Sequence, residues 1–252
     1  MSILTAWFSS DSLRFRIRAV KALLRDQRVE LGAIRKQLRP GDIACDIGAN
    51  KGRFIYWLSS WTKNGRVVAF EPQPDLASGL ADVCRTIGLS NVTVEAKAVY
   101  SRSGTQELYV PKGHQPGASL HSKAVEAGEF TTFTAPMVSL DEYFGNDDKI
   151  GFLKIDVEGA ELEVLRGAER ILRERAPLLV FECENRHLAP GSVYDVFSYL
   201  GRLGYEGSFI CGGKLLPLGE FDAAVHQSQR GSWFWKRSGY CNNFIFRNRA
   251  GS

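Results

Sequence analysis

The sequence predicts an α/β protein with a mostly parallel sheet and helices packed on both of its faces. Its strand-like segments are apolar without alternation, which is typical of strands that are buried on both faces. Helical segments of about 10 to 15 residues separate them, and this order favours parallel strands joined by crossover helices. The first strand-like segment also runs into a turn that holds Gly48 and Gly52. These features indicate a three-layer domain, for which 252 residues are sufficient.

The chain begins with a predicted basic helical extension. Residues 12 to 38 have helical spacing, nine basic residues lie between Arg14 and Arg39, and Pro40-Gly41 is a stop signal. We assign residues 1–40 to this extension and 41–252 to the main domain. The basic residues are interpreted as the solvated face of an amphipathic helix, and a membrane-surface or partner-binding face is the alternative.

The elements of the main domain follow in a regular order as far as residue 99. "DIACDI" reads as a buried strand, and Phe54, Leu58 and Trp61 lie on one face of the helix that follows it. The same spacing predicts the remaining elements of this half. The predicted elements are strand 42–47, helix 51–61, strand 66–71, helix 75–87 and strand 91–99.

Residues 100–140 interrupt the alternation and are interpreted as an insertion, after which the pattern resumes. The final strand follows its predecessor without a clear helix, which predicts an antiparallel last strand in a sheet of seven. A loop over residues 211–240 separates these two strands and is predicted to face an acceptor. The remaining predicted elements are strand 150–157, helix 160–174, strand 177–184, helix 192–203, strand 205–210 and strand 241–246.

Composition and charge exclude several classes of protein. The hydrophobic fraction of 44% and the charged fraction of 24% are ordinary for a globular chain. A net charge of +4 is too small to indicate a nucleic-acid partner. No apolar stretch approaches the roughly 18 residues of a membrane span, and no signal peptide is evident. The five cysteines are scattered without a Cys-x-x-Cys pair, so we expect a reducing cytoplasmic location and neither zinc nor disulfides.

The turn after the first strand does not have the residues of a phosphate-binding loop. It reads Asp46-x-Gly48-x-Asn50-x-Gly52, without the Gly-Lys-Ser/Thr of a Walker loop and without G-x-G-x-x-G. Its acidic residue would repel a pyrophosphate and attract a cation. The next strand ends in Glu71, where an acid accepts hydrogen bonds from ribose hydroxyls. A nucleoside without phosphate, such as S-adenosylmethionine (SAM), therefore fits best.

A second group of polar residues follows the two later strands. Lys154, Asp156 and Glu158 lie at alternate positions, on one strand face if the strand stays extended. The neighbouring strand ends in Glu182 and continues through Glu184, Asn185 and His187. We expect a general base among Asp156, Glu158, Glu182 and His187. A Mg²⁺ site of Asp156, Glu184 and Asn185 is a less favoured alternative to a hydrogen-bond network, and no metal is predicted.

These motifs resemble the FkbM-type SAM-dependent methyltransferases in content and in order over residues 40 to 185. The similar segments are "PGDIACDIGANKGRF", "VVAFEPQP", "SLDEYF", "IGFLKIDVEGAELEVLRGAERIL" and "PLLVFECE".

The resemblance implies the three-layer, Rossmann-like class I methyltransferase fold and a set of cofactor contacts. The Asp46, Gly48, Asn50 and Gly52 turn would line the methionine side of SAM. Glu71 would hold the ribose, Pro72 would pack near the adenine, and Lys97-Ala98 would meet the adenine edge, where Lys97 departs from the small polar residue expected. Asp156 and Glu158 would face the transfer site.

The resemblance also implies a function. We expect O-methylation of a hydroxyl on a small molecule, sugar, lipid or natural product, with S-adenosylhomocysteine (SAH) as the second product. An NAD(P)-dependent oxidoreductase and a non-catalytic scaffold that retains the fold are the alternatives. Two loops outside the resemblance, 111–121 with Ser119 and Leu120 and 230–240 with Trp233-Phe234-Trp235, are predicted to form the acceptor pocket. A small hydrophobic cluster under a long loop is the alternative for the three aromatic residues.

Overall fold

The computed structural model describes residues 10–111, 130–188 and 190–249, and it has the predicted α/β architecture. Eleven strands lie in these ranges. They are β1 Ile43–Ile47, β2 Arg66–Phe70, β3 Val92–Glu95, β4 Ala98–Val99, β5 Gly104–Pro111, β6 Phe130–Val138, β7 Ile150–Ile155, β8 Leu178–Glu182, β9 Tyr205–Cys211, β10 Lys214–Pro217 and β11 Asn243–Asn248.

Helices in the same ranges cover both faces of the sheet and precede its first strand. A π-helical turn, Ala22–Asp26, follows the first helix, and 3₁₀ turns occur at Leu218–Glu220 and Phe234–Lys236. The α-helices are α1 Ser10–Lys21, α2 Arg28–Gln37, α3 Ile55–Trp61, α4 Pro74–Thr86, α5 Leu140–Tyr143, α6 Glu161–Arg166, α7 Glu169–Glu174, α8 Val193–Arg202 and α9 Ala223–His226.

The main sheet has the order β10-β9-β11-β8-β7-β1-β2-β3. Strands β3, β2, β1, β7 and β8 are parallel to one another, whereas β11 is antiparallel to both β8 and β9. The antiparallel last strand is therefore confirmed. The predicted count of seven is one too low, because β10 turns back within the expected loop and pairs with β9 at the sheet edge.

Strand β1 lies at the centre of the sheet and is buried along its whole length. Ile43, Cys45 and Ile47 belong to the hydrophobic cluster on one face, whereas Ala44 belongs to the cluster on the other. Two buried faces give the predicted three layers. Because both faces of β1 are buried, its sequence is apolar without alternation.

The predicted third strand, residues 91–99, is wrong as a single element. Its first part forms β3 at the edge of the main sheet, while Ala98 and Val99 form β4 and pair with β6. A second sheet of order β4-β6-β5 results, in which the antiparallel β5–β6 pair occupies part of the expected insertion. The chain leaves the main sheet at the point where the cofactor pocket is expected.

Two predicted helices are each broken into two. The residue 12–38 segment contains the π turn between α1 and α2, and the residue 160–174 segment is interrupted at Gly167. The carbonyl oxygen of Gly167 accepts a hydrogen bond from the Asp141 backbone at 2.9 Å. A Cβ on Gly167 would collide with the Tyr100 carbonyl, so the helix is interrupted where another segment crosses it.

The N-terminal helices pack directly on the main domain. Phe15 and Ala19 of α1 are buried, and Trp57 of α3 donates its indole N–H to the Ala19 carbonyl at 2.7 Å. Helix α1 also contacts α3 and α4 of the main domain. The domain boundary at residue 40 remains a prediction.

No helix within the described ranges has the length and apolarity needed to cross a bilayer. All five cysteines are unbridged.

Candidate active site

A cavity of about 400 Å³ opens at the carboxyl ends of the central parallel strands. Ligands of α/β sheets bind at this edge, and the volume lies in the usual range for small-molecule sites. Nine of the predicted residues line it: Gly48, Asn50, Glu71, Pro72, Lys97, Ala98, Asp156, Glu158 and Glu182. Asp46, Gly52, Glu184, Asn185 and His187 are not among its lining residues.

The two turn glycines are required by packing. Gly48 has φ +74°, and a Cβ there would collide with the carbonyl oxygen of Asp156. Gly52 has φ +69°, and its Cβ would lie 2.5 Å from Leu80 Cδ1 and 2.8 Å from Phe15 Cε2. Gly48 thus lets the β1 and β7 ends approach each other, and Gly52 admits helix α1.

Four backbone N–H groups of this turn are used within the protein. Those of Gly48 and Ala49 both donate to the Phe70 carbonyl, at 2.9 and 3.0 Å, and that of Gly52 donates to the Ala49 carbonyl. The Asn50 N–H donates to Glu71 Oε2 at 2.8 Å. The amides that cradle a pyrophosphate in dinucleotide sites are therefore committed elsewhere in this chain.

Glu71 is fixed at the cavity wall by backbone donors. Its Oε2 accepts from Asn50, and its Oε1 accepts from the Gln73 N–H at 3.0 Å. Burial raises the pKa of Glu71, although these two hydrogen bonds act in the opposite direction. A carboxylate has about four acceptor positions, so two remain for a pair of vicinal hydroxyls.

Lys154 links the first loop to the loop after β7. Its Nζ lies 3.3 Å from Asp46 Oδ1 and 3.4 Å from Asp156 Oδ2, and it donates to the Gly48 carbonyl at 2.9 Å. Burial lowers the pKa of Lys154, but the two carboxylates raise it by more, so the ammonium stays charged. Asp46 is 1% exposed and lies beneath the cavity wall, where it orders Lys154.

The expected adenine side is built at the end of β3. Lys97 pairs with Glu95 at 2.9 Å and lies 5.7 Å from the centre of the Tyr143 ring. Tyr143 donates its hydroxyl to the other Glu95 oxygen at 2.9 Å. Lys97 is thus held at the rim, and buried Ala98 supplies a small apolar surface beside it.

The strand does not continue to Glu158, so the prediction of three charges on one extended face is wrong. Strand β7 ends at Ile155, and Glu158 has φ +51°, a conformation that is unusual for a residue with a side chain. Gly159 follows at φ +104°, and a Cβ there would lie 2.5 Å from the His187 carbonyl oxygen. This left-handed turn directs Glu158 toward His187.

Glu158 and His187 form a pair at 2.8 Å between Oε2 and Nδ1. Burial lowers the pKa of His187, but the hydrogen bond and charge of Glu158 raise it by more, to above its ordinary value of 6.5. Glu158 lines the first cavity, and His187 lines a second one of about 470 Å³. The Glu158–Gly159 turn therefore contributes to both cavities.

The end of β8 carries a hydrogen-bonded group of buried carboxylates. Asn242 donates to Glu182 at 2.6 Å and to Glu184 at 2.9 Å. Glu184 also pairs with Arg186 at 2.6 Å and accepts from the Tyr240 hydroxyl. Burial raises the pKa of Glu184, but these donors lower it by more; burial and neighbouring acids raise the pKa of Glu182 well above its usual range.

The alternative magnesium ligands do not form a metal site. Asn185 accepts from the Val193 N–H at 2.9 Å and donates its own N–H to Gln227, so it connects β8 to α8. Glu184 is engaged as above, and Asp156 pairs with Lys154. Among residues 10–111, 130–188 and 190–249, no group of three or more His, Cys, Asp or Glu has an arrangement that could hold a metal ion.

The predicted aromatic cluster lies next to this carboxylate group. Arg186 lies 5.8 Å from the Phe234 ring and 5.4 Å from the Trp235 ring, and Trp233 is 60% exposed. The three residues do not line either cavity. Residues 112–121, with Ser119 and Leu120, lie outside the described residues.

Four contributing residues were missed from the sequence. Arg18 and Gln27 line the first cavity, and Tyr240 and Asn242 hold the acids after β8. Each is far along the chain from the motif that it joins, so no local spacing marks it. The basic content of the first helix was the one available sign for Arg18.

Comparison with known proteins gives a consistent result. The family described as the methyltransferase FkbM domain matches residues 46–206. The hexuronic acid methyltransferase AglP of Haloferax volcanii is 26% identical over 179 residues, which are 68% of this chain and 71% of that protein.

Solved structures share the fold. The FkbM methyltransferase of Methylobacillus flagellatus is similar over 97% of this chain at 17% identity, with a TM-score of 0.52. This chain spans only 57% of that protein's length. A Streptococcus mutans protein described as a methyltransferase, solved in complex with SAH, is similar over 88% of this chain and 97% of its own, at 11% identity and a TM-score of 0.50. Together with the strand order, these similarities confirm the class I methyltransferase fold.

Proposed function

Because the chain belongs to the methyltransferase FkbM domain family, we propose that it transfers the methyl group of SAM to a hydroxyl of a sugar or sugar-containing acceptor and releases SAH. Family membership argues against both an oxidoreductase and a fold retained only as a scaffold. The similarity to a hexuronic acid methyltransferase, at 26% identity, supports a sugar acceptor.

One observation carries the choice of ligand. The turn after β1 commits its amides to Phe70 and Glu71, while Glu71 itself lines the cavity. Such a wall offers a carboxylate to ribose hydroxyls and no nest of amides to a pyrophosphate. This combination fits SAM and disfavours NAD(P).

The described residues suggest how SAM would lie. Glu71 would accept hydrogen bonds from the ribose, with Pro72 and Ala98 beside the adenine. The Gly48–Asn50 turn would contact the methionine portion. Asp156 would lie near the sulfonium, where its carboxylate and that of Asp46 favour a cation, while Lys154 between them keeps both carboxylates in place.

When bound, SAM supplies an electrophilic methyl group. The protein must then hold an acceptor hydroxyl in line with that methyl and take its proton. The Glu158–His187 pair is suited to taking the proton, because Glu158 accepts from Nδ1 and leaves Nε2 as the proton acceptor when the ring is neutral. Among the predicted bases, this pair alone lies between two cavities.

The second cavity is our candidate for the acceptor. Besides His187 it is lined by the rings of Tyr100 and Tyr199, the cations Arg166 and Arg202 and the acids Glu163 and Asp195, of which Glu163 pairs with Arg166. Aromatic rings pack against sugar faces, and charged side chains bind sugar hydroxyls. This lining favours a sugar over an apolar acceptor. The predicted roles of loops 111–121 and 230–240 stay predictions.

Ligand choice can be tested by calorimetry with SAH and with NAD⁺. We expect SAH to bind and NAD⁺ not to bind, and we expect Glu71→Ala to weaken SAH by about 100-fold, as two charge-assisted hydrogen bonds are lost. Glu206→Ala is the matched control, since Glu206 is an exposed acid paired with Arg249. Binding of NAD⁺ with the same dependence on Glu71 would overturn the assignment.

Transfer can be tested by mass spectrometry of acceptors incubated with SAM. Oligosaccharides that contain hexuronic acids, their carboxyl-reduced counterparts and hydroxylated lipids form the three arms. Addition of one methyl to a ring hydroxyl of the acidic sugar, with less on the reduced one, is expected. Methylation of the lipid alone, or of the carboxylate itself, would contradict the acceptor class.

A further inference from the structure

Helix α1 precedes the matched family region, yet it forms part of the cofactor cavity. Residues 46–206 match the family, whereas Arg18 and Gln27 line the cavity beside the first turn. Phe15 packs against Gly52, and Ala19 accepts the Trp57 indole hydrogen bond. The helix is thus anchored directly above the loop that would contact the methionine portion of SAM.

Arg18 is held at the cavity without a carboxylate partner. One guanidinium N–H donates to the Lys51 carbonyl at 3.3 Å, and Nε is buried without a hydrogen-bond partner among the described residues. Lys51 and Arg53 also line this side of the cavity, and both are exposed. Burial and the charge of Arg53 lower the pKa of Arg18 despite the nearby Asp11. A half-buried cation in cationic surroundings favours an anionic ligand.

The turn after β1 has few free backbone N–H groups that could donate hydrogen bonds to an anionic ligand group. A helix N-terminus or glycine turn would ordinarily supply backbone N–H groups to such a group. Here the amides of Gly48, Ala49 and Asn50 are already bonded to Phe70 and Glu71. These three amides are therefore not available to a carboxylate at this end of the cavity, which favours recognition by side chains.

We propose that Arg18 binds the methionyl carboxylate of SAM, so that the N-terminal helix completes the cofactor site. The proposal rests on the proposed function, since it assigns one end of that ligand. A guanidinium donates two parallel hydrogen bonds to a carboxylate, and this geometry would align the methionine tail along the first turn.

The test compares SAM with decarboxylated SAM, which retains the adenosyl, sulfonium and amine but lacks the carboxylate. By calorimetry, Arg18→Ala should weaken SAM by about 10-fold or more and leave decarboxylated SAM unchanged, because one charge-assisted contact is lost. Arg14→Ala is the matched control on the same helix, since Arg14 is exposed and pairs only weakly with Asp11, at 3.8 Å.

Each outcome is informative. Equal weakening of both ligands would give Arg18 a structural role and overturn the proposal, as would no change with either. If the wild-type protein bound neither SAM nor decarboxylated SAM, the result would instead count against the proposed function. If the Arg18→Ala variant were partly unfolded, fewer ligand molecules would bind per protein chain. The ratio of its affinities for SAM and decarboxylated SAM would still report on the carboxylate contact.

A separate feature of α1 and the π turn is an apolar stripe on the outer face. Leu13, Ile17, Val20 and Leu24 are 47%, 44%, 46% and 69% exposed. Their spacing of four, three and four residues places them along one side of a helix. These four are among the most exposed large apolar side chains in the described residues, and they are contiguous.

Basic residues flank this stripe. Arg14, Lys21 and Arg25 lie to one side of the stripe and Arg16 to the other, by the helical period of about 3.6 residues. Arg14 and Arg25 also pair with Asp11 and Asp26, at 3.8 and 2.6 Å. An apolar stripe between cations is complementary to an anionic bilayer surface, where apolar side chains enter the acyl boundary and cations meet headgroups. We infer that the outer face of this segment binds anionic membranes peripherally.

Vesicle sedimentation tests this inference with phosphatidylcholine alone and with added phosphatidylglycerol. The wild-type protein should sediment with the anionic vesicles and be released by salt, and Ile17→Ser with Leu24→Ser should reduce binding by about 10-fold, given the loss of two apolar anchors. Val225→Ser is the control, because Val225 is 65% exposed elsewhere. No binding to anionic vesicles, or equal binding by the double variant, would overturn the inference.

Discussion

The cavity is held differently on its two sides. On the cofactor side, which comprises the Gly48–Gly52 turn and Glu71, the contacts run through backbone amides and close glycine packing. On the acceptor side, the lining residues Glu158 and Glu182 are held by the side chains of His187 and Asn242, and Asn242 also binds Glu184. The first side is therefore fixed by shape, whereas the second depends on protonation.

The difference follows from what each side must do under the proposed function. A bound nucleoside is recognised by a rigid wall, because rigid contacts cost little conformational entropy on binding. A proton acceptor has to change charge, and carboxylate and imidazole groups in contact allow this near neutral pH. Substitutions on the two sides should consequently have different signatures.

The largest effect is expected for Gly48→Ala. The added Cβ would meet the Asp156 carbonyl in a left-handed backbone conformation, so we expect a loss of about 4 kcal/mol or more in the free energy of unfolding. Urea denaturation measures it. Gly79→Ala is the matched control, since Gly79 lies within α4 with nothing near its Cβ, and should stabilise by about 0.5 to 1 kcal/mol. If Gly48→Ala were as stable as the wild type in urea, the cofactor side would not be fixed by close glycine packing.

A smaller effect, on turnover alone, is expected for Glu158→Gln. Loss of the carboxylate leaves burial to lower the pKa of His187, so the acidic limb of the pH–rate profile should move to lower pH. The plateau rate should fall about 100-fold, as for loss of an oriented general base. SAH affinity, measured by calorimetry, should stay within about two-fold if the two sides are independent.

The sign of that shift separates two mechanisms. Under the proposed function a neutral His187 is the active form, so activity should rise with pH through its pKa, which Glu158 raises in the wild type. Movement of the limb to higher pH, or an unchanged profile, would contradict a His187 base. His187→Ala should remove the limb and lower turnover to the same extent.

The smallest effect is a pH-dependent loss of stability for Asn242→Ala. Hydrogen bonds hold the pKa of Glu184 low despite its burial, so they stabilise the fold above about pH 4.5 and this stability is lost as pH falls. Removing the amide should cost about 2 kcal/mol at pH 7.5 and less at about pH 3, where the lowered pKa of Glu184 is approached. Glu184→Gln in the same background should abolish the pH dependence. A cost that is the same at both pH values would mean that the acceptor side is held by packing.

The same contrast explains what could be predicted from the sequence. The fold and the cofactor turn follow from local patterns: the unbroken apolar β1, the glycine spacing and the acid at Glu71 all lie within 30 residues of one another. The position of Glu158 could not be predicted, because its left-handed conformation ends the alternation of strand side chains. Asn242 was missed because its partners lie about 60 residues earlier in the chain.

The fold prediction failed where contacts between distant segments determine the bounds of an element. Residues 91–99 have uniform strand character, yet Ala98 and Val99 find their partners in β6. The residue 160–174 helix has an unbroken apolar pattern, but the crossing of Tyr100 over Gly167 interrupts it. In both cases the contact that decides the structure is made by residues 100–140. The sequence pattern does not show which elements these residues contact.

The additional strand β10 has a consequence for how the molecule behaves in concentrated solution. A sheet that ended at β9 would present the outward-facing amides of a seven-residue strand to other copies of the chain. Instead a four-residue strand pairs with Ser208–Cys211, beginning with Lys214 and ending with Pro217, whose nitrogen has no proton to donate. A charge at one end and an imino acid at the other discourage edge-to-edge association, so this edge of the sheet is protected against fibrillar aggregation.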